Sequence, residues 1–247
     1  MIFNRDNLII NSTAEAGGLQ SVRENIIRLL EKLPAITIRQ KQAQPSFPGV
    51  RAGIAVPTQV SYVARVLKAP AYVDPASALL MLAAKELSNS YLYKHIRVQG
   101  GAYGGMSSYD PSLGLFSFLS YRDPHLVETL KVFENTETFY SQNELKTDEM
   151  EKAIISTIGM LDKPLDPAGR GYAALMRHIA GITDDMRQHF REEILSATPQ
   201  KLRDTLNKYF SAAAKSAAVA VYSAQEKLSE ANEHLEEKLV LERLFEA

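Results

Sequence analysis

Apolar residues recur at three- and four-residue intervals through much of this chain, and alternate singly in a few short stretches. Leu19, Val22, Ile26, Leu29, Leu30 and Leu33 fall on one helical stripe, and Pro34 closes the predicted helix. The β-rich run over residues 7–13 predicts a strand before it, with Gly17-Gly18 as the intervening turn. Residues 40–49 are polar and carry two prolines, which predicts a loop. Residues 50–56 read as a strand ended by Pro57. Residues 61–68 alternate Tyr62, Ala64 and Val66 with Val63, Arg65 and Leu67, a period of two, and Arg65 argues that one face lies near water.

Asp74-Pro75 opens a long predicted helix, because Asp can cap and Pro fits the first helical position. Its stripe is Leu80, Ala83, Ala84, Leu87 and Tyr91, and it runs on until Gly100-Gly101 breaks it. Residues 103–109 and 115–121 are candidate strands around a turn at 110–114. Asp123-Pro124 repeats the helix-start signal, and Thr147-Asp-Glu149 opens another helix with acids where the dipole favours them. Shorter helices are expected over 168–181 and 183–195, and a further one from Thr198-Pro199. Residues 217–222 read as a buried strand, and residues 225–247 as a final amphipathic helix.

This order, about six strands and eight helices with hairpins among the strands, predicts an α+β fold. The expected architecture is a single α/β-roll domain spanning residues 1–247. It comprises a mostly antiparallel sheet of about six strands with helices packed on one face, a core over 1–224 and a C-terminal helix over 225–247.

Composition removes several classes of function. There are no cysteines, so disulfides, thiolate nucleophiles and Cys-ligated metals are excluded. Lys and Arg number 28 against 29 Asp and Glu, so no overall basic field attracts nucleic acid or anionic lipid. No apolar run approaches the ~18 residues that would span a membrane. The first residues carry an early acid and no apolar stretch, so no signal peptide or other targeting signal is read there, and a cytoplasmic or organelle-matrix location is expected. The chain also enters a predicted strand almost at once, as though it began inside something larger.

The candidate chemistry is sparse. The five histidines, His95, His125, His178, His189 and His234, include no pair at the i, i+3 or i+4 spacing that places two ligands on one helix face. His125-Leu-Val-Glu128-Thr129 stands one residue short of the inverted zinc motif H-x-x-E-H, with Thr in place of the second His. One imidazole and one carboxylate do not make a tetrahedral site, so no metal is expected in this chain. The unusual segment is Arg97-Val-Gln-Gly100-Gly101-Ala102-Tyr103-Gly104-Gly105, where four of the 13 glycines fall within six residues. A helix C-cap followed by a bulge needs one or two; four around a Tyr and behind an Arg lean towards a recognition surface.

This segment, the downstream Gly114-Leu-Phe-Ser-Phe-Leu-Ser-Tyr-Arg-Asp-Pro124 and Glu128-Thr-Leu together resemble the C-terminal half of pitrilysin/insulinase-type zinc metallopeptidases, most nearly the presequence-protease and falcilysin subfamily. The resemblance implies the last of four similar domains, without zinc of its own. It implies that Arg97 and Tyr103 reach across a closed chamber to a zinc site in the absent N-terminal half. The bare backbone at Gly100, Gly101 and Ala102 is expected to lie beside a peptide substrate, and Gly101→Val to impair cleavage more than folding. The implied partner is that N-terminal half, or a separate zinc-bearing subunit if this chain is a non-catalytic subunit or scaffold. By itself the chain is expected to be inert.

Overall fold

Strands form where extended stretches find a neighbour to pair with. The computed structural model describes residues 4–5, 8–35, 49–143, 145–214 and 216–243. Its strands are β1 (Arg51–Ala55), β2 (Ser61–Lys68), β3 (Gly104–Asp110), β4 (Leu115–Asp123), β5 (Ala218–Ser223) and β6 (Val240–Arg243). They make one sheet in the order β3-β4-β2-β5-β1-β6. The β3–β4, β4–β2 and β2–β5 pairs are antiparallel, whereas β1 runs parallel to both β5 and β6. The α+β class holds, with a mixed sheet in which antiparallel pairing predominates.

The helices are α1 (Ala16–Glu31), α2 (Ala76–Asn89), α3 (Val127–Glu134), α4 (Thr136–Gln142), α5 (Thr147–Leu161), α6 (Pro167–Ala180), α7 (Asp184–Leu195), α8 (Pro199–Ala214) and α9 (Gln225–His234), with a π-helix over Tyr93–Gln99. The chain separates into two compact units, Met1–Ser46 with Lys163–Thr183, and Phe47–Asp162 with Asp184–Ala247. No helix among the described residues is long and apolar enough to cross a membrane.

The second unit holds the sheet. Val63 and Leu67 of β2, Phe116 and Phe118 of β4, and Val219 and Val221 of β5 share one face and are buried. They pack with Leu80 and Leu87 of α2, Leu130 and Phe133 of α3, and Leu202, Leu206 and Phe210 of α8. Rings interlock at the centre: Phe118 lies 5.4 Å from Phe133 and 5.6 Å from Phe210. The opposite register, with Tyr62, Ala64 and Val66, is half-buried. The alternation is as expected, but the side on which Arg65 falls is not. It shares the core-facing register and is 6% exposed, because the period of two puts it between Val63 and Leu67.

In the first unit the Arg5 side chain closes the end of α1, donating through Nε to the Leu33 carbonyl at 2.9 Å and through Nη2 to that of Glu31 at 3.1 Å. Asp166 caps α6 by accepting from the Gly169 N–H at 2.6 Å, and Gly181 ends it at φ +68°. Neither α1 nor α6 has a buried residue.

Three expectations are corrected. Residues 8–13 form no strand; they run beside α6, with Thr13 and Asn11 against Gly171. Gly17-Gly18 lie within the first turn of α1 rather than before it, a place where the backbone N–H groups lack helical partners anyway. The final helix stops at His234. Asn232 there clamps the chain, its Nδ2 donating to the Leu239 carbonyl at 2.9 Å and its Oδ1 accepting from the Leu239 N–H at 2.8 Å. The reversal lets Val240–Arg243 pair with the free edge of β1. Nearly all of the predicted loop over 40–49, and residues 244–247, lie outside the described residues.

Candidate functional site

Asp74 starts α2 by accepting from the Ala76 N–H at 2.8 Å. The helix ends at Ser90, whose backbone turns to φ −115°, ψ −85°. The chain then coils again as the π-helix that carries Arg97. Its inner side is pinned in place. Ile96 is 2% exposed, and His95 lies 4.6 Å from the Tyr91 ring and 6.1 Å from Phe139. The Tyr91 hydroxyl donates to the Val132 carbonyl at 3.0 Å, and burial pushes its pKa up to about 12. Burial first, and the neighbouring Lys94 charge second, hold His95 below its ordinary pKa, opposed by a hydrogen bond with Gln99. A short π-helix of this kind is uncommon and is enriched at functional sites.

The glycine cluster now has a geometry. The Gly101 N–H donates to the Arg97 carbonyl at 3.1 Å, and the Ala102 N–H reaches back six residues to the Ile96 carbonyl at 3.1 Å. Gly101 takes φ +73°, a left-handed cap that favours glycine. A Cβ on Gly105 would stand 2.7 Å from the Ile96 Cβ, so its absence lets β3 pass tightly against the π-helix. Ala102, expected beside the substrate, is 4% exposed as a whole residue; its side chain belongs to the core and its N–H is taken by the Ile96 carbonyl, so it presents little to a ligand. Backbone turning and close packing therefore account for Gly100, Gly101 and Gly105 in structural terms, whereas Gly104 has neither a positive φ nor a tight neighbour.

The turn sets two donors on the surface. Arg97 is exposed, its Cζ 5.6 Å from the centre of the Tyr93 ring. Tyr103, at the other end of the turn, is 67% exposed. Its N–H donates to the Arg122 carbonyl at 3.4 Å, and its ring stands edge-on to Tyr121 at 5.7 Å. Tyr121 in turn meets Tyr62 edge-on at 5.4 Å, and Tyr62 pairs in register with Tyr222. A band of tyrosines thus continues from Tyr103 across the half-buried face.

Sequence reasoning missed this band and Arg122. Arg122 has φ +51°, alone among the described non-glycine residues, at a register shift where β4 bulges against β2. The period of two could have placed Tyr62 and Tyr222 on one face. Nothing in the sequence marks the bulge.

His125 and Glu128 do not fit a zinc ion. His125 Nδ1 lies 3.9 Å from the Glu128 carboxylate, and both side chains are half or more exposed. Thr129, where a second His would be needed, is buried, and its hydroxyl donates to Asp123 at 2.7 Å. Asp123 also accepts from the His125 N–H at 2.9 Å, so these residues brace the turn that leads into α3. No group of three or more His, Asp and Glu side chains among the described residues is placed to hold a metal ion.

The fold recurs among peptidase domains. A peptidase M16 inactive domain from Pseudomonas fluorescens superposes with a TM-score of 0.62 at 16% identity, over 86% of this chain and 52% of that one. Pitrilysin matches with a TM-score of 0.58 at 16% identity, over 92% of this chain and 25% of its own.

Residues 51–223 match the PreP C-terminal domain family, and the chain belongs to it. Presequence protease 1, chloroplastic/mitochondrial, of Arabidopsis thaliana is 35% identical over 233 residues, 90% of this chain. The mitochondrial presequence protease of Saccharomyces cerevisiae is 29% identical over 214 residues, 83% of this chain. In both cases the match spans 21% of the relative's length.

Proposed function

We propose that this chain is the C-terminal, non-zinc-binding part of a peptide-degrading zinc metalloendopeptidase, in which Arg97 and Tyr103 complete an active site whose metal is held by the N-terminal half. The observation that carries the reading is the exposure of both side chains at the two ends of one glycine-bearing turn, within the matched family segment.

The chemistry suits such residues. The Tyr103 hydroxyl donates a hydrogen bond to the oxygen that becomes negative as a peptide carbonyl is attacked. The Arg97 guanidinium, permanently charged, binds a peptide carbonyl or carboxylate. The peptide main chain lies along Gly100 and Gly101, between the two donors, with the buried Ala102 holding the turn beneath them. Because the donors and the metal sit on different parts of the enzyme, the site is complete only when those parts close together. The exposed apolar residues of α1 and α6, Leu19, Ile27, Leu29, Met176 and Ile179 among them, suit a chain that docks against further domains.

The test is made in the full-length enzyme. Tyr103→Phe and Arg97→Ala should each lower turnover of a fluorogenic peptide by about 10²–10³-fold while bound zinc stays unchanged. Parallel loss of zinc, or unchanged turnover, would reject the assigned roles. The isolated chain given zinc should not cleave peptide, and adding the zinc-bearing half should restore cleavage.

A further inference from the structure

The tyrosine band lies on a sheet face whose composition solvent alone does not explain. A largely antiparallel sheet with one face on the core ordinarily turns polar side chains outward on the other. Here the outward register carries Ile54 of β1, Tyr62, Ala64 and Val66 of β2, Leu119 of β4 and Ala220 of β5, all half-buried. Charged side chains in this register stand at its margins, Lys68 and Asp110 at one end and Glu242 on the edge strand β6. A contiguous apolar face rimmed by polar residues marks an interaction surface.

The occupant follows from where the band begins. Tyr103 is 67% exposed, and its ring stands 5.7 Å from that of Tyr121, which is 44% exposed. Tyr121 stands 5.4 Å from Tyr62, and Tyr62 pairs in register with Tyr222. Strands β3, β4, β2 and β5 lie side by side in that order, so the rings step away from Tyr103 in one direction. An extended peptide advances about 3.3 Å per residue and turns alternate side chains to the same side, about 6.6 Å apart. The ring spacing agrees with that repeat to within about an ångström. A peptide whose carbonyl lies at the Tyr103 hydroxyl therefore sets one side chain against Tyr121 and another, two residues further on, against Tyr62.

We propose that Tyr121 and Tyr62 form a specificity surface for the peptide substrate, selecting apolar or aromatic side chains at two alternate positions on one side of the scissile bond. The inference rests on the role given above to Tyr103. Aromatic rings against an apolar surround of Leu119 and Ala64 favour such side chains. Basic side chains fit less well, because Arg97 and Arg122 put two positive charges at the same end of the band; the Arg122 carbonyl accepts from the Tyr103 N–H.

The full-length enzyme is assayed with fluorogenic peptides that differ at a single position, Phe against Ser, scanned along both sides of the scissile bond. The unaltered enzyme should prefer Phe in kcat/KM at two positions separated by one residue. Tyr121→Thr should reduce that preference by about three- to tenfold at the nearer position and Tyr62→Thr at the further one, mostly through KM, while Tyr121→Phe retains it. Equal losses on the Phe and Ser peptides would overturn the proposal, leaving Tyr121 as a residue that positions Tyr103. Absence of the preference in the unaltered enzyme, or a stronger preference for Arg or Lys at those positions, would overturn it as well. If Tyr121→Thr does not fold, Tyr62→Thr decides at its own position. Failure of the role given to Tyr103 shows differently, as unaltered turnover in Tyr103→Phe.

Discussion

The Arg97 guanidinium sits over the face of Tyr93, its Cζ 5.6 Å from the ring centre, and both residues belong to the π-helix. The ring restricts a side chain that would otherwise sweep freely through solvent. Cation–π contacts at exposed positions are worth about 0.5–1 kcal/mol, or roughly two- to fivefold in an equilibrium. In the full-length enzyme Tyr93→Leu should therefore lower kcat/KM by about that factor. In an Arg97→Ala background the same change should have no further effect, and a double-mutant cycle measures the difference. Additive losses would mean that Tyr93 acts on something other than Arg97.

A second prediction concerns Glu86, which is 3% exposed on α2. Its carboxylate accepts from the Ser90 and Tyr140 hydroxyls. Burial pushes its pKa up from 4.5 to about 7, with the Ser90 hydrogen bond opposing and Glu149 reinforcing the shift. The folded state then holds a proton that the unfolded chain has released. Stability from this group is full below about pH 4.5 and is lost as pH rises through about 7, a change of roughly 3 kcal/mol. Urea unfolding at about pH 5 and about pH 8 should show the fall, and Glu86→Gln should flatten it and stabilise the alkaline form. An unaltered pH slope in the variant would assign the effect elsewhere.

At Gly101 the expected loss comes from the backbone. A Cβ there meets nothing nearer than the Pro124 Cγ at 3.9 Å, yet φ is +73°. Gly101→Ala should lower unfolding free energy by about 1–2 kcal/mol in denaturant titrations, and Gly101→Asn by less. Gly101→Val adds a branched side chain at the same angle, so folding suffers along with any effect on cleavage. A neutral Gly101→Ala would show that the turn relaxes to another conformation.

The sheet and helices meet at Phe118, which is fully buried among Phe116, Phe133 and Phe210. Phe118→Ala should cost about 3–5 kcal/mol, seen as a lower denaturation midpoint with little change in its steepness. A much smaller loss would mean the ring cluster collapses to fill the space.

Much of this was legible in advance, and the reasons are local. Helices with a wide apolar stripe and a capping signal, such as those opened by Asp74-Pro75 and Thr147, appear where the periodicity places them. The hairpin of β3 and β4 follows from alternation around a turn. Errors arose where a pattern admits two outcomes. The β-rich residues 8–13 had no strand partner to receive them, and the amphipathic tail after residue 225 gave up its second half to the open edge of β1. At the site, the Arg97-to-Tyr103 segment was visible as an odd concentration of glycines. The family resemblance, and not the spacing, suggested the roles proposed for the two side chains.

The sequence by itself determined the periodicities, the caps, the absence of cysteine chemistry and the conformational need for glycine beyond the π-helix, since each depends on residues a few positions apart. Tertiary structure alone decided that Arg65 turns into the core, that Arg122 bulges from β4, and that a tyrosine band runs from Tyr103 to Tyr62. Those outcomes depend on which strand lies beside which and in what register, and contacts between distant segments fix that choice where the local pattern leaves it open.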